Sequence, residues 1–279
     1  MVEKASLGST QCGTMTFNWG ERTYIVGIIN VSPDSFSGDG LGDDVEAALA
    51  QARRFVADGV DIIDVGGEST RPDSTPVSVD EEMNRVIPVV ERLAGEAPVP
   101  VSIDTYKAEV ARRALDAGAQ MINDVWGLKR EPELAELAAQ RGVPIILASN
   151  QRDSPHRDIM SAILSDLRKS MKQALAAGVA WENIIIDPGI GFGKTLEQNL
   201  EIVRRLGELK ALERPILLGT SRKSMIGLVL DLPPDRRLEG TAATVAIGIA
   251  NGADIVRVHD FPEMVRVCRM SDAVVRGRL

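Results

Sequence analysis

Cysteine is nearly absent: only Cys12 and Cys268 occur, at opposite ends of a 279-residue chain. Two thiols cannot build a disulfide framework, nor a four-ligand zinc site by themselves, so a reducing, cytoplasmic setting is expected. Histidine is as scarce, with only His156 and His259, which removes His-rich metal chemistry. No stretch approaches the roughly 18–20 uninterrupted apolar residues of a membrane span. Met1 to Gly20 also lack the apolar core of a secretory signal, so no membrane partner is expected. Positive charge is in deficit, 32 Lys and Arg against 40 Asp and Glu, leaving a net −8. A surface of that sign repels phosphodiester backbones and excludes nucleic acid as a general partner, while leaving room for a local basic pocket for a small anion.

What the chain does have is a repeated alternation. Short apolar, β-branched runs recur at 24–29, 61–65, 99–103, 120–122, 144–147, 183–186, 215–218 and 254–258. Between them lie segments of helical spacing, such as Val45, Ala48, Leu49, Ala52, Phe55 and Val56. Several of these stop at glycine (Gly59, Gly118, Gly142, Gly178, Gly252), where the residue past a helix end often needs positive φ. Strands apolar on both sides, alternating with amphipathic helices, imply a parallel sheet covered by helices. Eight such units with no Pro/Ser-rich linker predict a single α/β (β/α)8 TIM barrel over 24–279, a doubly wound open sheet being the alternative. Residues 1–23 read as an N-terminal extension of that domain, an extended segment or hairpin plugging the barrel bottom.

Reactive groups of a barrel gather where strands end and loops begin. That rim collects Asn30, Asp64, Asp104, Asn123 with Asp124, Ser149 with Asn150, Asp187, Ser221 to Lys223, and Arg257 with His259. Any one of them could be a helix N-cap or an Asx-turn; the eightfold recurrence is what points to a site. The loop 31–42 carries an isolated aromatic, Phe36, and the loop 66–76 carries Arg71. The run from Asp187 to Thr195 looks like a nucleotide P-loop but fails the test, because Pro188 stands where the first glycine is required. Arg222, Lys223, Arg257 and His259 concentrate positive charge after the last two strands, where barrels often bind phosphate, unless they form structural ion pairs with Asp260. Alternation puts Arg257 and His259 on one side of the last strand.

Carboxylates and amides set deep in a barrel suit a planar heterocycle with an amidine-like edge. An adjacent anion pocket suits a departing phosphate or diphosphate, stabilised by donors and a metal and not by a nucleophilic side chain. Group transfer fits that inventory better than hydrolysis by a triad.

Seven ordered segments carry a family resemblance: Gly27 to Ser37 (GIINVSPDSFS), Asp61 to Pro72 (DIIDVGGESTRP), Ser102 to Thr105 (SIDT), Ile122 to Asp124 (IND), Asp187 to Lys194 (DPGIGFGK), Ser221 to Ser224 (SRKS) and Arg257 to Asp260 (RVHD). In that order and spacing the chain resembles the dihydropteroate synthases, pterin-binding enzymes of folate biosynthesis. The resemblance implies a transferase that joins 6-hydroxymethyl-7,8-dihydropterin diphosphate to 4-aminobenzoate, releasing diphosphate. It implies that Asp104, Asn123, Asp187 and Lys223 hold the pterin, and that Thr70, Arg71, Arg257 and His259 meet the diphosphate. It further implies that Phe36, Pro72, Phe192 and Ser224 border the aminobenzoate, where sulfonamides compete. Asn30 would ligate Mg2+, and Asp104, Lys223, Asn30 and Asp34 make up the implied catalytic set. A homodimer with small-molecule substrates is likewise implied.

One segment departs from the family's pattern. After the fifth barrel strand the family usually carries Met-His, whereas this chain reads Leu147-Ala148-Ser149-Asn150-Gln151. Ala148 would leave the pterin pocket wider, or refilled by a neighbour. Competing readings are a methyltetrahydrofolate-dependent methyl transfer, which needs no diphosphate pocket, a non-catalytic pterin binder, and a Schiff-base aldolase using Lys194 or Lys223.

Overall fold

The computed structural model describes residues 7–31, 44–69, 75–152 and 158–277. Asp34, Phe36, Thr70, Arg71, Pro72 and His156 lie outside the described residues. After a short antiparallel hairpin, β1 (Ser9–Cys12) and β2 (Met15–Asn18), strands and helices alternate. The first half runs β3 (Tyr24–Asn30), α1 (Val45–Asp58), β4 (Ile62–Gly66), α2 (Val79–Glu96), β5 (Val101–Asp104), α3 (Ala108–Asp116), β6 (Met121–Asp124) and α4 (Glu133–Arg141). The second runs β7 (Ile145–Ala148), α5 (Ile159–Ala176), β8 (Ile184–Asp187), α6 (Leu196–Arg205), β9 (Leu217–Leu218), α7 (Ser224–Leu230), α8 (Leu238–Ala250), β10 (Ile255–Val258) and α9 (Glu263–Arg276). The strands from β3 onward form one eight-stranded parallel sheet in the order β8-β7-β6-β5-β4-β3-β10-β9. A parallel bridge between Ile186 and Ile216 joins its two edges, so the sheet closes as a (β/α)8 barrel.

Local chemistry fixes the helix ends as the pattern requires. Asp44 and Ser78 accept from the amides of Ala47 and Glu81 at the starts of α1 and α2, and Thr195 and Gln198 form a reciprocal capping box on α6. The five glycines that end the helical patterns all have positive φ, from +64° at Gly142 to +107° at Gly118. One face of each strand packs outward on helices, as with Ile63, Val65, Ile103 and Ile122. The other face fills the barrel: Val26, Ile62, Met121, Ile146, Ile185, Leu217 and Ile255 form an apolar floor with Phe17, Trp19 and Tyr24.

The hairpin therefore closes the bottom of the barrel, with Phe17 edge-on to Tyr24 at 4.9 Å and the Trp19 indole donating to Thr10 Oγ1 at 2.9 Å. Phe17 is fully buried. Phe17→Ala should cost about 3–5 kcal/mol, the loss expected for a large core aromatic left as a cavity. A urea melt checks this, the midpoint falling well below that of the wild type.

Candidate active site

Six of the eight barrel strands run one or two residues past their apolar runs, while β9 and β10 end where the runs end. Asn30, Asp104 and Asp187 are the last paired residues of β3, β5 and β8, and Asn123 and Asp124 both belong to β6. A polar residue ends an apolar pattern but not a backbone ladder, so these side chains stand on the rigid sheet. Alternation then sorts them. Above the apolar floor the inward positions become polar: Asp64 on β4, Ser102 and Asp104 on β5, Asn123 on β6, Asp187 on β8 and Arg257 on β10.

Asp124 faces the other way. Its carboxylate accepts from the amides of Trp126 (2.8 Å) and Leu128 (2.6 Å), the Asx-turn role that any strand-end aspartate can take. Asn150 is similarly spent on local structure, accepting from the Arg152 amide and donating to the Val125 carbonyl.

Inside the barrel the polar groups interlock. The Arg257 guanidinium donates from Nε to Asp64 Oδ2 (2.7 Å) and from Nη2 to Asp104 Oδ2 (2.6 Å), joining β10 to β4 and β5 across the mouth. Asn123 Nδ2 donates to the same Asp64 oxygen at 2.9 Å. That bond uses one N–H of the amide, fixes the side-chain orientation and leaves the Asn123 carbonyl oxygen for a ligand. Sequence reasoning put Asp64 at the rim without a role; its function of orienting both Asn123 and Arg257 follows only from the register that sets Asp64 opposite Ser102. Asp64 Oδ1, Ser102 Oγ and Asp104 Oδ1 are buried without a hydrogen-bond partner. Orphaned buried acceptors of this kind are costly unless something donates to them. Their free lone pairs suit a ligand edged with N–H groups.

Burial shifts Asp104, Asp187 and Lys223 toward neutrality. The Asp104 carboxyl is pushed up to about 7 by desolvation, partly offset by Arg257 and reinforced by Asp64. Asp187 is likewise raised by burial against the pull of Lys223 and the Gly189 amide, which donates to its Oδ1 at 2.7 Å. Lys223 is lowered to about 8 by desolvation, with Asp187 opposing. Its ammonium donates to the Ile190 carbonyl and lies 4.7 Å from the centre of the Phe192 ring. For Arg257, burial favours loss of charge, but Asp64 and Asp104 outweigh it and hold the proton more tightly.

Lys194, the other lysine considered for a Schiff base, is lowered by burial to about 7. Its Nζ is occupied, however, donating to the carbonyls of Ser149 (2.7 Å), Gly189 (2.7 Å) and Phe192 (3.2 Å). It therefore serves the 187–194 loop, whose glycines at 189, 191 and 193 all have positive φ.

The loops after β9 and β10 meet through His259, whose backbone N–H (3.2 Å) and Nδ1 (2.9 Å) both reach Ser221 Oγ. Arg222 is bound bidentately to Asp260, the structural ion pair weighed from the sequence. Phe192 packs with Val125, Trp126 and Tyr106 beside Lys223, and Ser224, exposed, opens α7. Asn30 is half-buried at the mouth end of β3. Ala148 faces the barrel interior opposite Asp187 and is 1% exposed, so the space beside it is closed to solvent. Beyond it Ser149 donates to Asp166 (2.8 Å), which Gln151 and Lys129 also reach.

The described site thus brings Asp104, Asn123, Asp187, Lys223 and Arg257 to one end of the barrel, with Ser221 and His259 on the adjoining rim. Among the described residues no group of three His, Cys, Asp or Glu side chains could hold a metal unaided.

Comparison with known proteins agrees with that chemistry. The family described as pterin binding enzymes matches residues 26–259. A dihydropteroate synthase of Clostridium beijerinckii is 52% identical over 95% of this chain and 98% of its own. The dihydropteroate synthase of Clostridium difficile, solved in the presence of pteroic acid, superposes with a TM-score of 0.89 at 50% identity, covering 93% of this chain and 99% of that one. The Xanthomonas albilineans dihydropteroate synthase, solved with 4-aminobenzoic acid, gives 0.90 at 39% identity over 97% and 98% of the two chains.

Proposed function

The chain belongs to the pterin-binding enzymes, and from that premise we propose how its residues divide the work of a dihydropteroate synthase, joining 6-hydroxymethyl-7,8-dihydropterin diphosphate to 4-aminobenzoate in folate biosynthesis. The observation that carries the reading is the Asp64–Arg257–Asp104 bridge, with Asn123, Asp187 and Lys223 on the same barrel end. Asp187 accepts the amidine edge of the pterin, while the oriented Asn123 carbonyl and Asp104 take further N–H groups. Lys223, charged below about 8, donates to a ring oxygen or nitrogen. Arg257 and His259, with Thr70 and Arg71, receive the diphosphate; Phe36, Pro72, Phe192 and Ser224 border the aminobenzoate.

Asn30 would hold Mg2+ through its one neutral amide oxygen. A single protein ligand is compatible with Mg2+, which needs no dedicated protein cage. When bound, Mg2+ neutralises charge on the leaving diphosphate. The protein's part is then electrostatic. The C–O bond to the diphosphate breaks, leaving a cation on the exocyclic methylene that the electron-rich pterin and the Asp104 carboxylate stabilise. The neutral aniline nitrogen attacks it, and its proton leaves afterwards, so no strong base is required.

Incubation of the protein with Mg2+, pterin diphosphate and 4-aminobenzoate should give dihydropteroate and diphosphate, with no diphosphate release when aminobenzoate is omitted. Tight pterin binding with no such release would mark the protein as a binder only. The same reading fixes a pH dependence. Asp104 gains its charge as pH rises through about 7, and Lys223 loses its charge as pH rises through about 8. kcat/KM for the pterin substrate should therefore trace a narrow bell with its maximum between those values, since this ratio reports groups of the free enzyme. A profile flat from pH 6 to 9 would contradict it.

Leu228 and Val229 on α7, Ile247 on α8, and Met270 and Val274 on α9 leave an apolar surface exposed, Val274 at 71%. That surface favours a homodimer through the α7–α9 face. No described helix is long and apolar enough to cross a membrane, and both cysteines are free and buried. These features suit a cytoplasmic enzyme.

A further inference from the structure

Lys223 and Ser221 flank a residue in an uncommon backbone state. Arg222 has φ +56°, the left-handed region that non-glycine residues seldom occupy and that persists only where surroundings over-determine it. The restraints can be named. The Arg222 amide donates to Thr241 Oγ1 (3.1 Å), and its side chain is bound to Asp260. Its carbonyl accepts from Arg237 Nη1 at 2.8 Å. Arg237 itself donates from Nε to the Leu232 carbonyl (2.9 Å), and burial lowers its pKa. It is 9% exposed, and it runs back from the start of α8 under α7.

The guanidinium reaches Arg222 only because residue 227 has no side chain. A Cβ on Gly227, in the buried part of α7, would fall inside the Arg237 guanidinium. Glycine in a helix interior is destabilising relative to alanine. Gly227 accepts that cost and yields passage for a side chain whose other end holds the turn between β9 and α7.

We infer that Arg237, threaded past Gly227 onto the Arg222 carbonyl, is a positioning residue for the transfer reaction: it holds the 220–223 turn so that Ser221 meets His259 and Lys223 faces Asp187. It touches no substrate. Without it, the left-handed residue relaxes and the two flanking side chains swing together, one from the diphosphate side and one from the pterin. The inference rests on the function proposed above.

The test is a double-mutant cycle on the full-length protein. Arg237→Met removes the brace. Gly227→Ala displaces it, the better helix former offsetting part of the cost of the hydrogen bonds lost, so its thermal midpoint should fall no further than that of Arg237→Met. Both should lower kcat/KM for pterin diphosphate by about 10–100-fold, the scale of an ångström-sized misplacement from a distant change. The Gly227→Ala/Arg237→Met double variant should be no worse than Arg237→Met, since the added methyl then has nothing to displace. Binding of inorganic diphosphate, followed by calorimetry, should weaken in both single variants. That readout does not require turnover, so an inactive wild type would overturn the function proposed and leave the brace separately tested. Unchanged kcat/KM and diphosphate binding per folded molecule, or fully additive losses in the double variant, would overturn the inference.

Discussion

Asp104→Asn is expected to lower kcat by about 100–1,000-fold, the range found when a preorganised electrostatic group is removed from an active site. Binding of an unreactive pterin should weaken far less. The substitution keeps the shape of the side chain and leaves an oxygen that can still accept from Arg257 Nη2, now at 2.6 Å from Asp104. What it removes is a negative charge in a buried place, where the charge has no competing water and acts strongly on a nearby cation. That charge is poised, the carboxyl standing at about 7. The asparagine variant should also lose the acid limb of the pH profile, because the group that titrates there is gone. Rate measurements under saturating substrates, paired with equilibrium titration of the pterin, separate the two effects. Equal losses in kcat and in pterin affinity would place Asp104 in ground-state binding and remove it from the transition state.

Arg257→Met should be damaging in a different way, to the fold as well as to the reaction. Its guanidinium is the shared partner of Asp64 and Asp104, whose side chains are 1% and 12% exposed. Removing one member of a buried charge network leaves the others uncompensated, at a cost of about 3–5 kcal/mol. Without the cation, Asp104 moves above its present value of about 7, because Arg257 is the chief influence lowering it. A buried acid whose folded pKa lies above its unfolded value takes up a proton on folding. The variant's stability should therefore be greatest near pH 4 and fall as pH rises toward and through 7, a steeper decline than in the wild type. Chemical denaturation at a series of pH values measures this. Arg257→Lys restores one charge but not the fork that spans two carboxylates on two strands. It should recover much of the stability and little of the turnover. A stable, pH-insensitive Arg257→Met protein would mean that Asp64 and Asp104 do not depend on the bridge.

The barrel was legible in the chain because its signal is redundant. Eight β-branched runs and five helix-ending glycines repeat one physical solution, and the hairpin's aromatics mark a plug. The site was legible only in part. Asn123 and Asp124 are adjacent and chemically alike, yet one faces the ligand side and the other closes a turn. Which does which depends on pleat phase, which the sequence leaves ambiguous where a strand has only four residues. Asp64 looked like one more strand-end acid, because its two donors, Asn123 and Arg257, lie 59 and 193 positions away. From the sequence Arg257 reads as an anion ligand at the rim, whereas in the structure it is ion-paired to Asp64 and Asp104 inside the mouth. A diphosphate bound there as proposed would compete for it with two carboxylates. Arg237 gave no signal at all, since its partner is a backbone carbonyl and its path is defined by a missing methyl group.

The central claim is that one barrel mouth holds the flat pterin against Asp104, Asn123 and Asp187 and the diphosphate against the Arg257 and His259 side. A crystal structure of the protein with 6-hydroxymethylpterin diphosphate tests it most directly. Ring N–H groups should lie about 2.7–3.2 Å from oxygens of Asp187 and Asn123, with phosphate oxygens at hydrogen-bonding distance from the His259 rim. A ring bound outside the barrel, or a diphosphate held in a cavity that Asp187 does not line, would contradict the account.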